Sequence, residues 1–463
     1  ISSGHSELSM IYNEDGVMLN GVVDNAGSYR KDFLCNAGWV PGWPSYTTFD
    51  KSDIEAGEWA NSGNRLCYKP TTGTPNQHTL WVARGNSSRV LVNDYNFVWL
   101  HNLQIDTCAA ASMVMFSGSC DYNWIDDCWA FHGIRNLVSQ TGGTTTTNYW
   151  RQTHNISQDA IWRCLGTSDP DIPNGAEYGL VAHNHIPKSF RLTAPHGDRE
   201  GVMCGPGDDH TTVEFNSFCD VGWGVGVGNL PNSGVGDSPQ PITVDNADDL
   251  AIRYNYVKNW QMAAVWFNLN KPLDGSNSHP ITSIKIYNNI GWQEDGEMDT
   301  GGRGRHCFVG IRGYDVITIE GVRVEGNTVV NSGCQYVSDT DGLFLFRHTP
   351  DAAVNMDYEY TMKNNLIVDF NGTHFIHEVI GPEVDTWTRG GDYNLFHRSN
   401  TDATAVKIGF STATFDMDHF VEGATAGTWS GDYNVDRNSL LYTSVQDPKV
   451  DKTNGLMVPY WDS

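Results

Sequence analysis

The sequence predicts an all-β protein, a right-handed single-stranded parallel β-helix with an N-terminal capping region. Three observations carry that expectation. First, one phrase recurs, two short apolar strands joined at an Asn. It reads Ile252-Arg253-Tyr254-Asn255-Tyr256-Val257, then Ile284-Lys285-Ile286-Tyr287-Asn288-Asn289-Ile290, and returns around Asn327 and Asn364. Second, the bends at Asn184, Asn216, Asn255, Asn288, Asn327 and Asn364 fall 32 to 39 residues apart. Uneven but bounded intervals mark a solenoid whose coils keep their strands and vary their loops. Third, the 463 residues include Gly 48, Trp 16, Tyr 19 and Phe 18, and long runs rich in Ala, Leu, Glu and Lys are absent. That balance favours strands and turns over helices.

Taken in order, residues 1–89 lack the later rhythm. They are rich in Gly, Trp, Pro and Asp, as in the stretch from Asn36 to Pro44, with short strands expected near Glu58-Trp59, Leu66-Cys67-Tyr68 and Leu80-Trp81-Val82. An elongated repeat needs its open core covered, so this segment is assigned as the cap. Residues 90–463 are assigned to the β-helix with its C-terminal coils and tail. The rhythm starts at Val90-Leu91-Val92 and Val98-Trp99-Leu100, and Asn123 is the first later bend. After each Asn strand comes a loop and a third strand, such as Gly201-Val202-Met203-Cys204, Ala264-Val265-Trp266-Phe267, Phe308-Val309-Gly310-Ile311 and Gly342-Leu343-Phe344-Leu345. An Asn at the same bend of every coil can hydrogen-bond along the stack and satisfy backbone groups there.

Charge narrows the partners. Lys+Arg 29 against Asp+Glu 55 gives −26, and the pI is about 4.8. Such a surface repels phosphate backbones and anionic lipid, which argues against nucleic acid. No stretch approaches about 18 consecutive apolar residues, so membrane insertion is not expected. The ten cysteines form no CxxC pair, which removes zinc-ligand spacing and leaves disulfides in an oxidising, extracellular setting as the expectation. Acceptor triplets at Asn86, Asn155 and Asn371 are compatible with secretion.

The repeat over about 90–445 resembles the pectate-lyase-like right-handed β-helix superfamily. Its last phrases, Gly391-Asp392-Tyr393-Asn394-Leu395-Phe396 and Gln446-Asp447-Pro448-Lys449-Val450, are similar to the final coils of bacterial and phage carbohydrate-active members. That superfamily holds lyases, glycoside hydrolases, epimerases, esterases and non-catalytic tailspikes, so the resemblance implies a fold and a glycan more than a reaction. It also implies that the third strand and the loop before it line a polysaccharide groove. Alternation with Val202, Val265, Ile311 and Leu343 inward puts Met203, Trp266, Asn268, Arg312 and Phe344 on the outer face. Trp266 and Phe344 would then suit stacking on sugar rings.

Glycosidases need one protonated and one ionised carboxyl, and uronate lyases need a base with cations to hold developing charge. Clusters beside these strands supply both. Candidate catalytic residues are Asp198, Glu200, Glu297, Asp299, Asp341 and His348. Candidate substrate-binding residues are Trp266, Asn268, Arg303, Arg305, His306 and Arg312, with Phe344, Arg347, His377 and Glu378 from later coils. Asp159, Asp198 and Glu200 follow the order of acids in polygalacturonase-type hydrolases, but Trp223 stands where that family has His and 264–267 offers no Arg-x-Lys. Asp295, Glu297 and Asp299 are oxygen ligands at alternate positions that calcium would accept, and no other cofactor is implied. The sequence therefore points to an extracellular polysaccharide-active protein, a glycoside hydrolase or lyase. The alternative is a non-catalytic structural or adhesion β-helix, such as a virion protein or a subunit of a homo-oligomer or filament, and a lectin-like binder is a third reading.

Overall fold

A computed structural model describes the strands and tight corners between residues 90 and 398, together with residues 70, 72–74 and 77 and isolated strands at 10–12, 20–21, 58–62, 65–68, 81–83, 404–408, 414–416, 433–434 and 440–443. Residues 109–112, 134, 140–146, 159, 161–162, 168–175, 190–198, 206, 222–238, 246, 261–262, 270–280, 294–306, 315–318, 331–341, 350–355, 369–373 and 380–383 lie outside the description.

The fold is a right-handed parallel β-helix built from three long sheets. The first runs from Trp99–His101 through Arg151–Thr153 and Ala251–Arg253 to Tyr433–Asn434. The second runs from Gln104–Cys108 to Leu440–Thr443, and the third from Val90–Asn93 through Arg163–Thr167, Ala263–Leu269 and Cys307–Tyr314 to Thr414–Asp416. Neighbours in all three are parallel, except that Thr404–Ile408 pairs antiparallel with Thr414–Asp416. Before residue 90, Met10–Tyr12 pairs antiparallel with Trp81–Ala83, and Glu58–Ser62 with Arg65–Tyr68. No helix among the described residues is long and apolar enough to cross a membrane.

The first-sheet strands from Trp99–His101 to Ala251–Arg253 are three residues long because a sharp corner stands at each end. The residue at each corner adopts a positive φ, as at Tyr149, Tyr178 and His210 on one side and His154, His183, Phe215 and Tyr254 on the other. A left-handed conformation is costly for bulky residues, so something local must hold it. Each corner N–H donates to a carbonyl of the next coil, as Tyr149 to Glu177 at 2.9 Å and His183 to Glu214 at 3.2 Å. The corner rings also stack on one another from coil to coil.

One residue past the second corner runs an Asn ladder: Asn155, Asn184, Asn216, Asn255, Asn289, Asn327, Asn365 and Asn394, all nearly fully buried. Each interior member makes the same set of bonds. The Asn255 backbone N–H and Nδ2 both donate to Asn289 Oδ1 at 3.0 Å, while a second Nδ2 hydrogen reaches Val213 O at 2.9 Å. The ladder was legible in the repeat, but three of its expected positions need correction. Asn288 and Asn364 occupy the positive-φ corner, and the laddered residues are Asn289 and Asn365. Asn123 stands at the other corner, accepting from Val98 N. Asn155, read above as a glycan acceptor, is buried in the ladder and cannot carry a glycan in this fold.

The core is one continuous apolar column, with Ile125, Val181, Val213, Ile252, Ile286 and Val324 stacked from the first sheet against Val202, Val265, Val309 and Phe344 from the third. No disulfide joins Cys120, Cys128, Cys164, Cys204, Cys219 and Cys307. Five are buried within the β core, where a thiol packs as a small hydrophobe. For these six, the disulfide expectation does not hold.

Candidate functional site

The expected groove residues come first. Glu297, Asp299, Asp198, Asp341, Arg303, Arg305 and His306, with Asp159 and Asp295, lie outside the described residues. Asn268, Arg312, Arg347, His348, His377 and Glu378 lie in third-sheet strands, and register aligns Asn268 with Arg312 and Arg312 with Arg347 on successive coils. Only their backbone is described. Three others are corrected. Phe344 pairs in register with Val309 and points into the core, fully buried and edge-on to Phe308 at 6.4 Å, so it cannot meet a sugar. Phe344 and Phe346 share the inward line of Val309 and Ile311, Leu343 is buried in the same core as expected, and Leu345 leaves it to pack with Trp266. Trp266 does leave the core column but is only 3% exposed. It covers Gly310, where a Cβ would come within 2.4 Å of its ring, and packs with Ala263, Cys307 and Leu345. Glu200 is buried, and its Oε2 accepts from Arg163 Nε at 2.8 Å. A buried carboxylate in a close ion pair holds two coils together. Both faces of the described third-sheet strands 163–167, 263–267, 307–311 and 343–346 are therefore buried.

Asp208 is buried and held from three sides. Its carboxyl accepts from Ala176 N at 2.8 Å, Gly205 N at 2.6 Å and the Thr167 hydroxyl. Complete burial pushes its pKa up to about 7 against those hydrogen bonds. It pins three chain segments and faces no solvent.

The open chemistry lies on the first sheet, which the groove reading passed over. Its outward face begins with two indoles, Trp99 and Trp124, stacked at 5.3 Å, with the Arg151 guanidinium 5.9 Å from the Trp124 ring. In the neighbouring outward row, Asp126 sits between two imidazoles. His154 Nδ1 is 3.0 Å from Asp126 Oδ1, and His101 Nδ1 is 3.3 Å from Oδ2. The Thr153 hydroxyl donates to Asp126 Oδ1 at 2.7 Å and accepts from Trp124 Nε1 at 2.5 Å, so the carboxylate is fixed on both sides. Burial raises the Asp126 pKa, but hydrogen bonds from Thr153 and His154 and the charges of His154 and His101 outweigh it and hold the carboxyl below its ordinary value. An ionised carboxylate only accepts, so His154 Nδ1, at hydrogen-bond distance from it, carries the hydrogen, and His101 meets the other oxygen at ion-pair distance. Side-chain exposures of 45% for His101 and 59% for His154 leave them reachable.

Two ring stacks flank this face. One is Phe97, Tyr122, Tyr149, Tyr178 and His210, with centroids 4.7 to 4.9 Å apart and planes within 10°. The other is His154, His183, Phe215 and Tyr254, at 4.9 to 5.1 Å and within 8°. The signal for both was present as an aromatic or His residue just before each Asn or first strand, but alternation alone reads such residues as core. No family model, curated protein or solved structure matches this chain.

Proposed function

We propose that the protein is a polysaccharide-active β-helix of the pectate-lyase-like kind, working outside the cell, with its reactive centre at His101, Asp126 and His154. One observation carries this reading: a single ionised carboxylate orients two exposed imidazoles beside a pair of exposed, stacked indoles. Glycan cleavage needs a base and an acid on one face. One neutral imidazole takes a proton, from water in hydrolysis or from a sugar carbon in elimination, and the other, as imidazolium, delivers one to the leaving oxygen. Arg151, over the Trp124 ring in the neighbouring outward row, offers a cation for developing negative charge. Trp99, 56% exposed at the end of its stack, offers apolar surface to a sugar ring.

The test is turnover on a panel of plant and algal polysaccharides by wild type and by His101→Gln, His154→Gln and Asp126→Asn. The expected result is a bell-shaped pH profile in wild type and a loss of about 100-fold or more in each variant, in line with general acid–base contributions. A new ultraviolet chromophore in the product marks elimination, and its absence with new reducing ends marks hydrolysis. Undiminished turnover in all three variants refutes this centre. Absence of turnover on every polymer leaves the structural or adhesion reading standing.

A further inference from the structure

Beyond the reactive cluster, the same face continues as a trough. Over the coils that hold Leu180–Ala182, Thr212–Glu214 and Ala251–Arg253, its floor is made of Leu180, Thr212 and Ala251 with buried Ala182. Tyr178, His210 and Asp249 stand along one side, with Tyr149 one coil earlier in the same row, and His183, Phe215 and Tyr254 stand along the other. Five residues separate the two rows in each coil, roughly 16 Å of extended chain. At its far end, Arg253 Nε donates to Glu214 Oε2 and Nη1 to the Tyr287 hydroxyl, both at 2.6 Å, closing the floor with a neutralised pair.

From this we infer that the trough binds an extended stretch of a neutral glycan, laid along the helix axis and leading to the His101–Asp126–His154 cluster. The choice of occupant follows from what the trough can offer. Every floor strand is hydrogen-bonded in parallel to a neighbour on both sides, so no backbone edge is left to receive a peptide strand. Polyanions are repelled by a chain of net charge −26, and so is a second copy of it. Leu180, Ala182, Thr212 and Ala251 are uncharged, and the charges beside them are paired: Glu214 with Arg253 on the floor, and Asp249 with His210 and Lys285 at the rim. The rings are stacked face to face, so their faces are already used and their edges project, ending in phenol hydroxyls and imidazole nitrogens. Apolar bodies with polar tips, at Tyr149, Tyr178 and His210 in one row and at His183 and Tyr254 in the other, suit a chain of uncharged hydroxyl-bearing rings. The inference rests on the glycan reading above, but it concerns binding and not turnover.

Affinity electrophoresis separates the two. The full chain is run through gels containing a neutral β-glucan, a neutral xylan or, for contrast, polygalacturonate. Wild type should be retarded by a neutral polymer. Tyr149→Asn with Tyr178→Asn, a residue type that tolerates the positive φ, should weaken retardation at least about tenfold, which corresponds to about 1.4 kcal/mol. The milder Tyr149→Phe, Tyr178→Phe pair keeps the stack and isolates the hydroxyls, so it guards against misfolding of the first pair and should weaken retardation by a smaller factor. His101→Gln should abolish turnover while leaving retardation in place, so failure of the cluster and failure of the trough are read separately. The trough is refuted if no neutral polymer retards the wild type, if only polygalacturonate does, or if both tyrosine pairs bind like wild type. A dimer in sedimentation velocity that dissolves in the tyrosine variants also refutes it, because it makes the face a self-contact.

Discussion

Neighbouring asparagines at 288 and 289 have opposite jobs, and exchanging each should reveal it. Asn289 Oδ1 accepts two bonds from Asn255, from its backbone N–H and its Nδ2, each at 3.0 Å, and Asn289 itself donates to Asn327 Oδ1 and Ile252 O. Asn289→Ala leaves two buried donors on Asn255 without an acceptor. At about 1–3 kcal/mol for each, the local cost is about 2–6 kcal/mol. Asn288 sits at φ 55 with its Oδ1 over Gly326, so Asn288→Gly keeps an allowed backbone and should change stability by no more than about 1 kcal/mol. A solenoid need not unfold in one step, so the assay is hydrogen exchange resolved over 250–258 and 284–292, with thermal denaturation beside it. Asn289→Ala should speed exchange across both segments and lower the melting temperature, and Asn288→Gly should do neither. Equal effects from the two, or a silent Asn289→Ala, would refute the ladder as the element that holds the coils in register.

Three further outcomes follow from other sites. Asp208 has a folded pKa near 7 against an ordinary 3.8, so the native state holds a proton that the unfolded chain has lost between those values. Stability should therefore rise as pH falls from about 7 toward 4, by up to about 4 kcal/mol, and Asp208→Asn should flatten that slope in denaturant titrations run at each pH. For Asp126 the sign reverses: its depressed pKa gives stability that is present above 3.8 and lost as pH falls below it, so Asp126→Asn should be relatively less destabilising in acid. At Gly166, with φ 102, a Cβ would lie 1.9 Å from the Met203 carbonyl oxygen, so Gly166→Ala should lower the yield of folded protein sharply. Gly310→Ala, which displaces a movable Trp266 ring, should cost about 1–3 kcal/mol by thermal denaturation.

Much of the fold was written locally. The Asn spacing and the alternation of apolar residues are properties of short segments, and a parallel stack of such segments buries Ile252, Ile286 and Val324 on one line. Which of two adjacent asparagines enters the ladder was not written there. Asn288 and Asn289 are the same residue type, and only the corner's left-handed turn separates the one that bends from the one that bonds. The functional surface was hidden for a related reason. His101, Asp126 and His154 lie 25 and 28 residues apart and meet only because consecutive coils set His101 and Asp126 in register and place the corner residue His154 one step past Thr153, the next partner of Asp126. Phe344 and Trp266 read as outward aromatics, but register turned one into the core and Gly310 let the other lie flat and covered.

By itself, then, the sequence determined the β-helix, the Asn-marked corner and the net charge of −26. Tertiary structure decided the in-register stacking that closes both faces of third-sheet strands 163–167, 263–267, 307–311 and 343–346, leaves the first sheet open and sets two imidazoles on one carboxylate. The physical reason is that burial and alignment between coils depend on residues some thirty positions apart, whereas strand and corner formation depend on neighbours.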